Sequence, residues 1–352
     1  MTKFSVTILI LLFVVTCLVN TACAQTADPI NGSVTYVGPT KCQAIGIGNS
    51  TCYSLTVQCS GIDSTGVGPV GITLKVTNPG STKGTILFTD AGGSSTWFEG
   101  QFAFGPMMMN SLVRAGFTVV QAEFGGSLGY LTGPAPNGVR SLACRYAALA
   151  NWIFASTASS PLIHPSNTAM CAAGLSGGSS AVGYALAHFG MGTGATRIFD
   201  MVEVISGPTL TRIDHACICD QPPLPTNTSQ TNLPECLLAA KSLLDGTYST
   251  PVCTSAGKTH STTNATLLQH DSILSDDPPF LSYSTNVHVL FGGQDQSAGP
   301  AQGLDWVNAV TSPLTVVTVL DAGHFLPDSF AGAVQVVNDL TSSCALLPPS
   351  GR

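Results

Sequence analysis

The chain has 352 residues, a formal net charge of −7 at pH 7 and only 9% charged residues. It carries no basic patch or stripe, which argues against nucleic acid as a partner, and the sparse charge favours neutral partners. The length is ample for a buried core, either as one large α/β domain with an insertion or as two domains.

Lys3 is followed by an apolar stretch from Val6 to Val19 and by Ala22-Cys23-Ala24. A basic start, a short apolar core and a small-x-small site predict a secretory signal peptide over residues 1–24. The stretch is too short for a spanning helix, which needs about 20 apolar residues. Cys23 as a lipoprotein cysteine is the alternative, but Asn20-Thr21-Ala22 lacks the aliphatic residue such a site carries. No later segment is long and apolar enough to cross a membrane, so the expectation is an exported protein without integral membrane association.

Residues 25–352 read as the folded part. Short β-rich pieces at 34–37, 53–59 and 72–76, separated by turn residues, predict antiparallel strands. Beyond them, apolar runs at 85–89, 117–122, 169–173, 201–205, 287–291 and 314–320 alternate with helical segments at 106–115, 141–154, 179–189 and 330–340. Near-continuous apolarity suits strands buried on both faces. The alternation predicts an α/β fold with a mostly parallel central sheet flanked by helices. The rhythm breaks once, at about 206–286, where four cysteines, a Pro-rich piece at 221–225 and one helical patch at 234–244 occur. A structureless loop of that length is improbable in a compact domain, so the segment reads as a disulfide-braced cap over the sheet. A surface loop is the plainer alternative.

Of the 12 cysteines, Cys17 and Cys23 leave with the leader. The other ten, Cys42, Cys52, Cys59, Cys144, Cys171, Cys217, Cys219, Cys236, Cys253 and Cys344, predict up to five disulfides in an exported chain. Proximity suggests Cys144 with Cys171, and pairs within 217–253. Cys217-x-Cys219 is too tight for a zinc knuckle and has no Cys-x2-Cys partner, so no metal site is expected. Asn31, Asn49, Asn227 and Asn264 open Asn-x-Ser/Thr sequons, which matter only in a eukaryotic host.

Acyl transfer through serine needs a hydroxyl at the apex of a strand–turn–helix elbow, with flanking glycines that let strand and helix approach. Gly174-Leu-Ser176-Gly-Gly178 has this pattern, and so does Gly125-Gly-Ser127-Leu-Gly129. Both follow an apolar run, but only 177–189 can continue as a helix. Residues 128–137 are broken by glycines and prolines. Ser176 is therefore the predicted nucleophile, and the loop 125–137 is expected to border the site.

A serine hydroxyl needs a base, and a histidine base needs a carboxylate to fix its tautomer. His324 follows the run 314–320 through the turn Asp321-Ala-Gly323, at the carboxyl end of a strand, where open α/β sheets place ligands. His288 lies inside a strand and His188 late in a helix, while His164, His215, His260 and His270 read as solvated loop residues. Asp295 holds the comparable strand-end position one strand earlier, and the order Ser176, Asp295, His324 fits such a sheet. Asp321 and Asp328 are too near His324 in sequence; Glu203, Asp271, Asp276 and Asp277 rank lower, and a plain turn residue is the bland reading of Asp295. Amide donors for a tetrahedral intermediate are expected from Gly177 and from Asp90-Ala-Gly-Gly-Ser-Ser95, where Gly92 is the first choice and Gly93 the next.

Taken together, the elbow at 174–178, the Gly-rich loop at 90–93, Asp295 and the turn before His324 resemble the α/β-hydrolase superfamily, particularly its secreted esterases and lipases, over about 72–340. The resemblance implies a mostly parallel sheet with a cap after its sixth strand and no metal or organic cofactor. The His-Gly of the family's oxyanion loop reads Asp90-Ala91 here. The function implied is cleavage of carboxylic esters by Ser176, His324 and Asp295, acting on a neutral ester that is a small molecule, a lipid or a polyester. A serine peptidase, an acyltransferase and a non-catalytic binding protein of the same fold remain open.

Overall fold

The computed structural model describes residues 27–42, 49–62, 68–135, 138–155, 163–194, 197–218, 241–276 and 279–347. The expected leader at 1–24, the Pro-rich piece at 221–225, residues 234–240 of the helical patch, Asn227, Cys219 and Cys236 lie outside them.

In chain order the main elements are β1 (Gly32–Thr40), β2 (Ser50–Cys59), β3 (Val70–Thr77), β4 (Gly84–Thr89), α1 (Gly105–Arg114), β5 (Phe117–Phe124), α2 (Cys144–Ala155), β6 (Ala169–Leu175), α3 (Gly177–Ala187) and β7 (Met201–Ile205). There follow α4 (Ile213–Ile218), α5 (Lys241–Gly246), α6 (Val252–Thr259), α7 (Thr262–His270), β8 (Asn286–Gly292), α8 (Gly299–Ala309), β9 (Leu314–Val319) and α9 (Phe330–Ser343). The strands form one sheet in the order β1-β2-β3-β5-β4-β6-β7-β8-β9. The pairs β1–β2, β2–β3 and β3–β5 are antiparallel. All the pairs from β5 through β4 to β9 are parallel.

Strand side chains alternate between faces, and the core divides accordingly. Leu87, Val120, Met170, Ala172, Val202 and Val204 point to one face, with Tyr146, Leu149, Val182 and Tyr184 of α2 and α3. Ile86, Val119, Cys171, Ala173, Met201 and Ile205 point to the other, with Met108, Leu112, Val336 and Leu340 of α1 and α9. β6 and β7 are buried at every residue, which is why they read as unbroken apolar runs. β9 differs from its expectation. As the outermost parallel strand it is only partly covered, and Val316 is 43% exposed.

Between β7 and β8 the chain leaves the sheet for α4 to α7, which pack on one another. Ser261 caps α7, its hydroxyl accepting from Asn264 N. Helix α8 was not predicted, because Gly299, Pro300 and Gly303 disguise it. Pro300 sits in its first turn, where a missing N–H costs nothing. A Cβ at Gly303 would fall 2.4 Å from the carbonyl oxygen of Gly207, so the helix runs too close to backbone for a larger residue.

Four disulfides join described residues: Cys42–Cys52, Cys59–Cys144, Cys171–Cys344 and Cys217–Cys253. The pairing of Cys144 with Cys171 is thereby corrected. Cys144 opens α2 against β2, whereas Cys171 points to the opposite face of the sheet, where α9 ends. The pair within 217–253 is found and ties α4 to α6. It also removes Cys217 as a thiolate ligand.

Candidate active site

β6 ends at Leu175 and α3 begins at Gly177, so Ser176 alone makes the turn. Its φ of 54° and ψ of −114° lie where L residues rarely sit. Tight packing imposes this. A Cβ at Gly174 would lie 2.3 Å from Gly178 O, and one at Gly178 would lie 2.4 Å from Asp90 O. Ser176 N donates to Ile205 O at 2.8 Å, which anchors the elbow to β7.

Ser176 Oγ lies 2.9 Å from His324 Nε2. On the other side of the ring, His324 Nδ1 lies 2.8 Å from Asp295 Oδ2. A carboxylate only accepts, so Nδ1 donates and Nε2 turns its lone pair to the serine hydroxyl. Asp295 is fully buried. Its other oxygen accepts from Ser297 N at 2.8 Å, and its own N donates to Gly292 O at 3.1 Å. The structure thus brings together three residues that are 119 and 29 positions apart in sequence.

Ser176 and His324 open on a cavity of about 440 Å³, walled mainly by Ala91, Leu131, Leu210, Leu243 and Phe325. Gly92 and Gly177 also line it. Gly92 has φ +62°, and a Cβ at Gly177 would lie 1.9 Å from Gly92 O, so these two backbones meet. Gly93 is turned elsewhere: a Cβ there would strike Leu128 O at 1.6 Å, and its carbonyl accepts from Tyr130 N at 2.8 Å.

No protein-family model matches the chain, and no curated protein matches it in sequence. Among solved structures, it is similar to acetyl xylan esterase 1 from Thermoanaerobacterium sp. JW/SL YS485, with a TM-score of 0.53 and 18% identity over 88% of this chain and 86% of that one. It also matches an esterase of Pyrobaculum calidifontis, with a TM-score of 0.44, 14% identity and coverage of 83% and 84%. Mouse alpha/beta hydrolase domain-containing protein 10 matches with a TM-score of 0.45, 12% identity and coverage of 78% and 93%.

The chain has the α/β-hydrolase fold.

Within this α/β-hydrolase fold the second elbow pattern is no elbow. Ser127 is exposed in the turn after β5, and the loop borders the cavity through Leu131. The lower-ranked carboxylates have other surroundings. Burial pushes the Asp271 carboxyl up to about 7, against hydrogen bonds from Tyr248 Oη and from the N–H groups of Arg140 and Val139. Glu203 is buried within β7, and burial, followed by the Asp339 charge, holds it well above the usual range. Asp276 pairs with His270 at 3.1 Å on the surface, Asp328 accepts from Ala103 N, and Asp277 lies outside the described residues. Three histidines differ from expectation. His164 is buried, stacked on Phe154 at 5.4 Å and 3.3 Å from Thr85 Oγ1. His215 and His270 belong to helices α4 and α7.

Four further residues shape the site, and sequence reasoning assigned none of their side chains a role. Ser297 Oγ lies 2.9 Å from His324 Nδ1, beside Asp295; an Asp-x-Ser turn was its only signal. Ser206 Oγ donates to His324 O at 2.6 Å. Tyr130 Oη donates to Gly177 O at 3.0 Å. Asp90 holds the loop before Gly92, accepting from Ala91 N at 2.6 Å and from Thr96 Oγ1. Burial pushes its carboxyl up to about 6 despite those two bonds.

Proposed function

We propose that this chain is an exported serine hydrolase that cleaves carboxylic esters through an acyl-enzyme on Ser176. The observation that carries the reading is the unbroken hydrogen-bonded line from buried Asp295 through His324 to Ser176 at an apolar cavity. Ser176 Oγ bonds to the ester carbonyl carbon while His324 Nε2 takes its proton. The carbonyl electron pair moves onto oxygen, which accepts from the N–H groups of Gly177 and Gly92, the two that line the cavity, rather than from Gly93. Collapse breaks the bond to the alcohol, which leaves with the proton from Nε2. Water then attacks the acyl carbon, His324 takes and returns a proton, and the carboxylic acid departs from a restored Ser176. Asp295 holds the imidazole in its tautomer throughout.

In this reading the segment 206–286 is a cap, because Leu210 and Leu243 come from it to wall the cavity. No helix among the described residues is long and apolar enough to cross a membrane. Four disulfides support export into an oxidising compartment, with residues 1–24 as the leader. The substrate is a neutral ester, because the described residues that wall the cavity include no Asp, Glu, Lys or Arg.

Hydrolysis of short p-nitrophenyl esters tests the reading. Turnover is expected in the wild type and in Ser127→Ala, and is expected to vanish in Ser176→Ala. Turnover that survives in Ser176→Ala refutes the mechanism.

A further inference from the structure

Exposed apolar side chains are not spread evenly over the described residues. Among the described residues six large hydrophobic side chains are exposed, and three of them, Leu320, Phe325 and Phe330, flank His324 in the segment 320–330. Phe325 belongs to both the site and the surface. It lines the cavity and meets the His324 ring edge-on at 5.0 Å, yet 43% of it faces solvent.

From Phe325 a row of rings leads away from the cavity. Phe102 lies 5.9 Å from Phe325, and Phe104, two residues on, meets Phe330 edge-on at 5.7 Å. Phe330 is 60% exposed, while Phe102 is buried and Phe104 half-buried. The row is therefore a narrow strip with recessed rings between two prominent ones, not a broad face. It is also fixed in place: Ala103 N donates to Asp328 Oδ1 at 2.9 Å, and Phe104 N donates to Pro327 O at 3.1 Å. A preformed strip binds without an ordering cost.

Charge narrows what the strip can hold. Residues 320–330 contain Asp321 and Asp328, both exposed, and no lysine or arginine. Nothing there would receive an anionic headgroup, and two carboxylates would repel one.

Resting on the ester-hydrolase reading above, we infer that the substrate is a neutral ester whose apolar chain outgrows the cavity, passes over Phe325 and lies along the strip to Phe330. The occupant is the chain of a single ester molecule. Its contacts with the rings form equally in the ground state and the transition state, so they act through KM.

The test compares p-nitrophenyl butanoate with p-nitrophenyl dodecanoate, both below the concentration at which the longer ester aggregates, in the wild type, Phe330→Ser and Phe330→Leu. Fluorophosphonate labelling of Ser176 runs beside it. The wild type is expected to favour dodecanoate in kcat/KM. Phe330→Ser is expected to lower the dodecanoate-to-butanoate ratio about five- to tenfold, through KM, and Phe330→Leu to restore most of it. An unchanged ratio with labelling intact overturns the strip and leaves the ester-hydrolase reading standing. Absent labelling of a folded wild type overturns that reading and the strip with it. A dodecanoate rate that rises only above the aggregation point also overturns the single-chain assignment, in favour of an aggregated surface as the partner. If Phe330→Ser does not fold, the wild-type series decides: no gain from butanoate to dodecanoate overturns the inference.

Discussion

At the scale of residues, Ser176 carries a cost that its packing offsets. Its left-handed backbone is held by glycines at 174 and 178 that admit no Cβ. Such conformations cost on the order of 1–3 kcal/mol and persist only where surrounding structure over-determines them. Asp295→Asn is expected to lower kcat by about 10⁴-fold, by presenting the wrong partner to His324 Nδ1; a loss below tenfold would contradict its assigned role. Ser297→Ala tests a finer point. Ser297 Oγ and Asp295 Oδ2 both lie within reach of Nδ1, so in the proposed mechanism Ser297 would act as a positioning residue. Its loss is expected to lower kcat/KM by about three- to thirtyfold and to move the acid limb of the pH–rate profile, with Ser297→Thr restoring both. An unmoved limb would leave Ser297 a merely structural role. Ser176, Asp295 and His324 could be picked from sequence because each follows a strong apolar run at a turn, and position after a strand is a local signal. Ser297 and Ser206 could not, since serine in a turn is common and their contacts with His324 cross 27 and 118 residues.

At the scale of elements, the loop after β4 positions Gly92, and Asp90 is its brace. An unfolded chain releases this proton near 3.8, whereas the folded chain keeps it until about 6. Between those values the folded state binds more protons, so this group's contribution to stability declines as pH rises through the window. Asp90→Asn mimics the protonated form. Its melting temperature is expected to gain on that of the wild type between about pH 4 and about pH 8, and a difference that does not change with pH would contradict the burial of this carboxyl. His188 works in the opposite sense. Burial first, and then the Arg140 charge, lower it to about 4, so its contribution falls as pH drops from 6.5 towards 4. Elements buried on both faces, β4 to β8, were readable from their apolar runs. β9 shares the pattern but sits at the edge, and nothing local distinguishes an edge strand. Helix α8 was hidden by glycines that serve close packing rather than a turn.

At the scale of the whole molecule, the disulfides tie distant layers together. Cys59–Cys144 joins the antiparallel end of the sheet to α2 across 85 residues, and Cys171–Cys344 joins β6 to the end of α9 across 173. Cross-links that close loops of this kind typically contribute about 2–4 kcal/mol each. Reduction is expected to lower the melting temperature markedly, and an unchanged melting temperature under reductant would contradict the linkage. The even cysteine count foretold bridges, and proximity found the partner of Cys217 but misplaced Cys144 and Cys171, which lie on opposite faces of the sheet. The α/β architecture itself was legible, since alternating strand and helix lengths survive in any sequence that builds such a sheet.

Ser176 as the proposed nucleophile is put to the test most directly by fluorophosphonate labelling of the folded protein followed by mass-spectrometric location of the adduct. The adduct is expected on the peptide holding Gly174-Leu-Ser176-Gly-Gly178, with labelling lost when His324 is replaced by alanine. An adduct on Ser127, or no adduct on a folded protein, would contradict it.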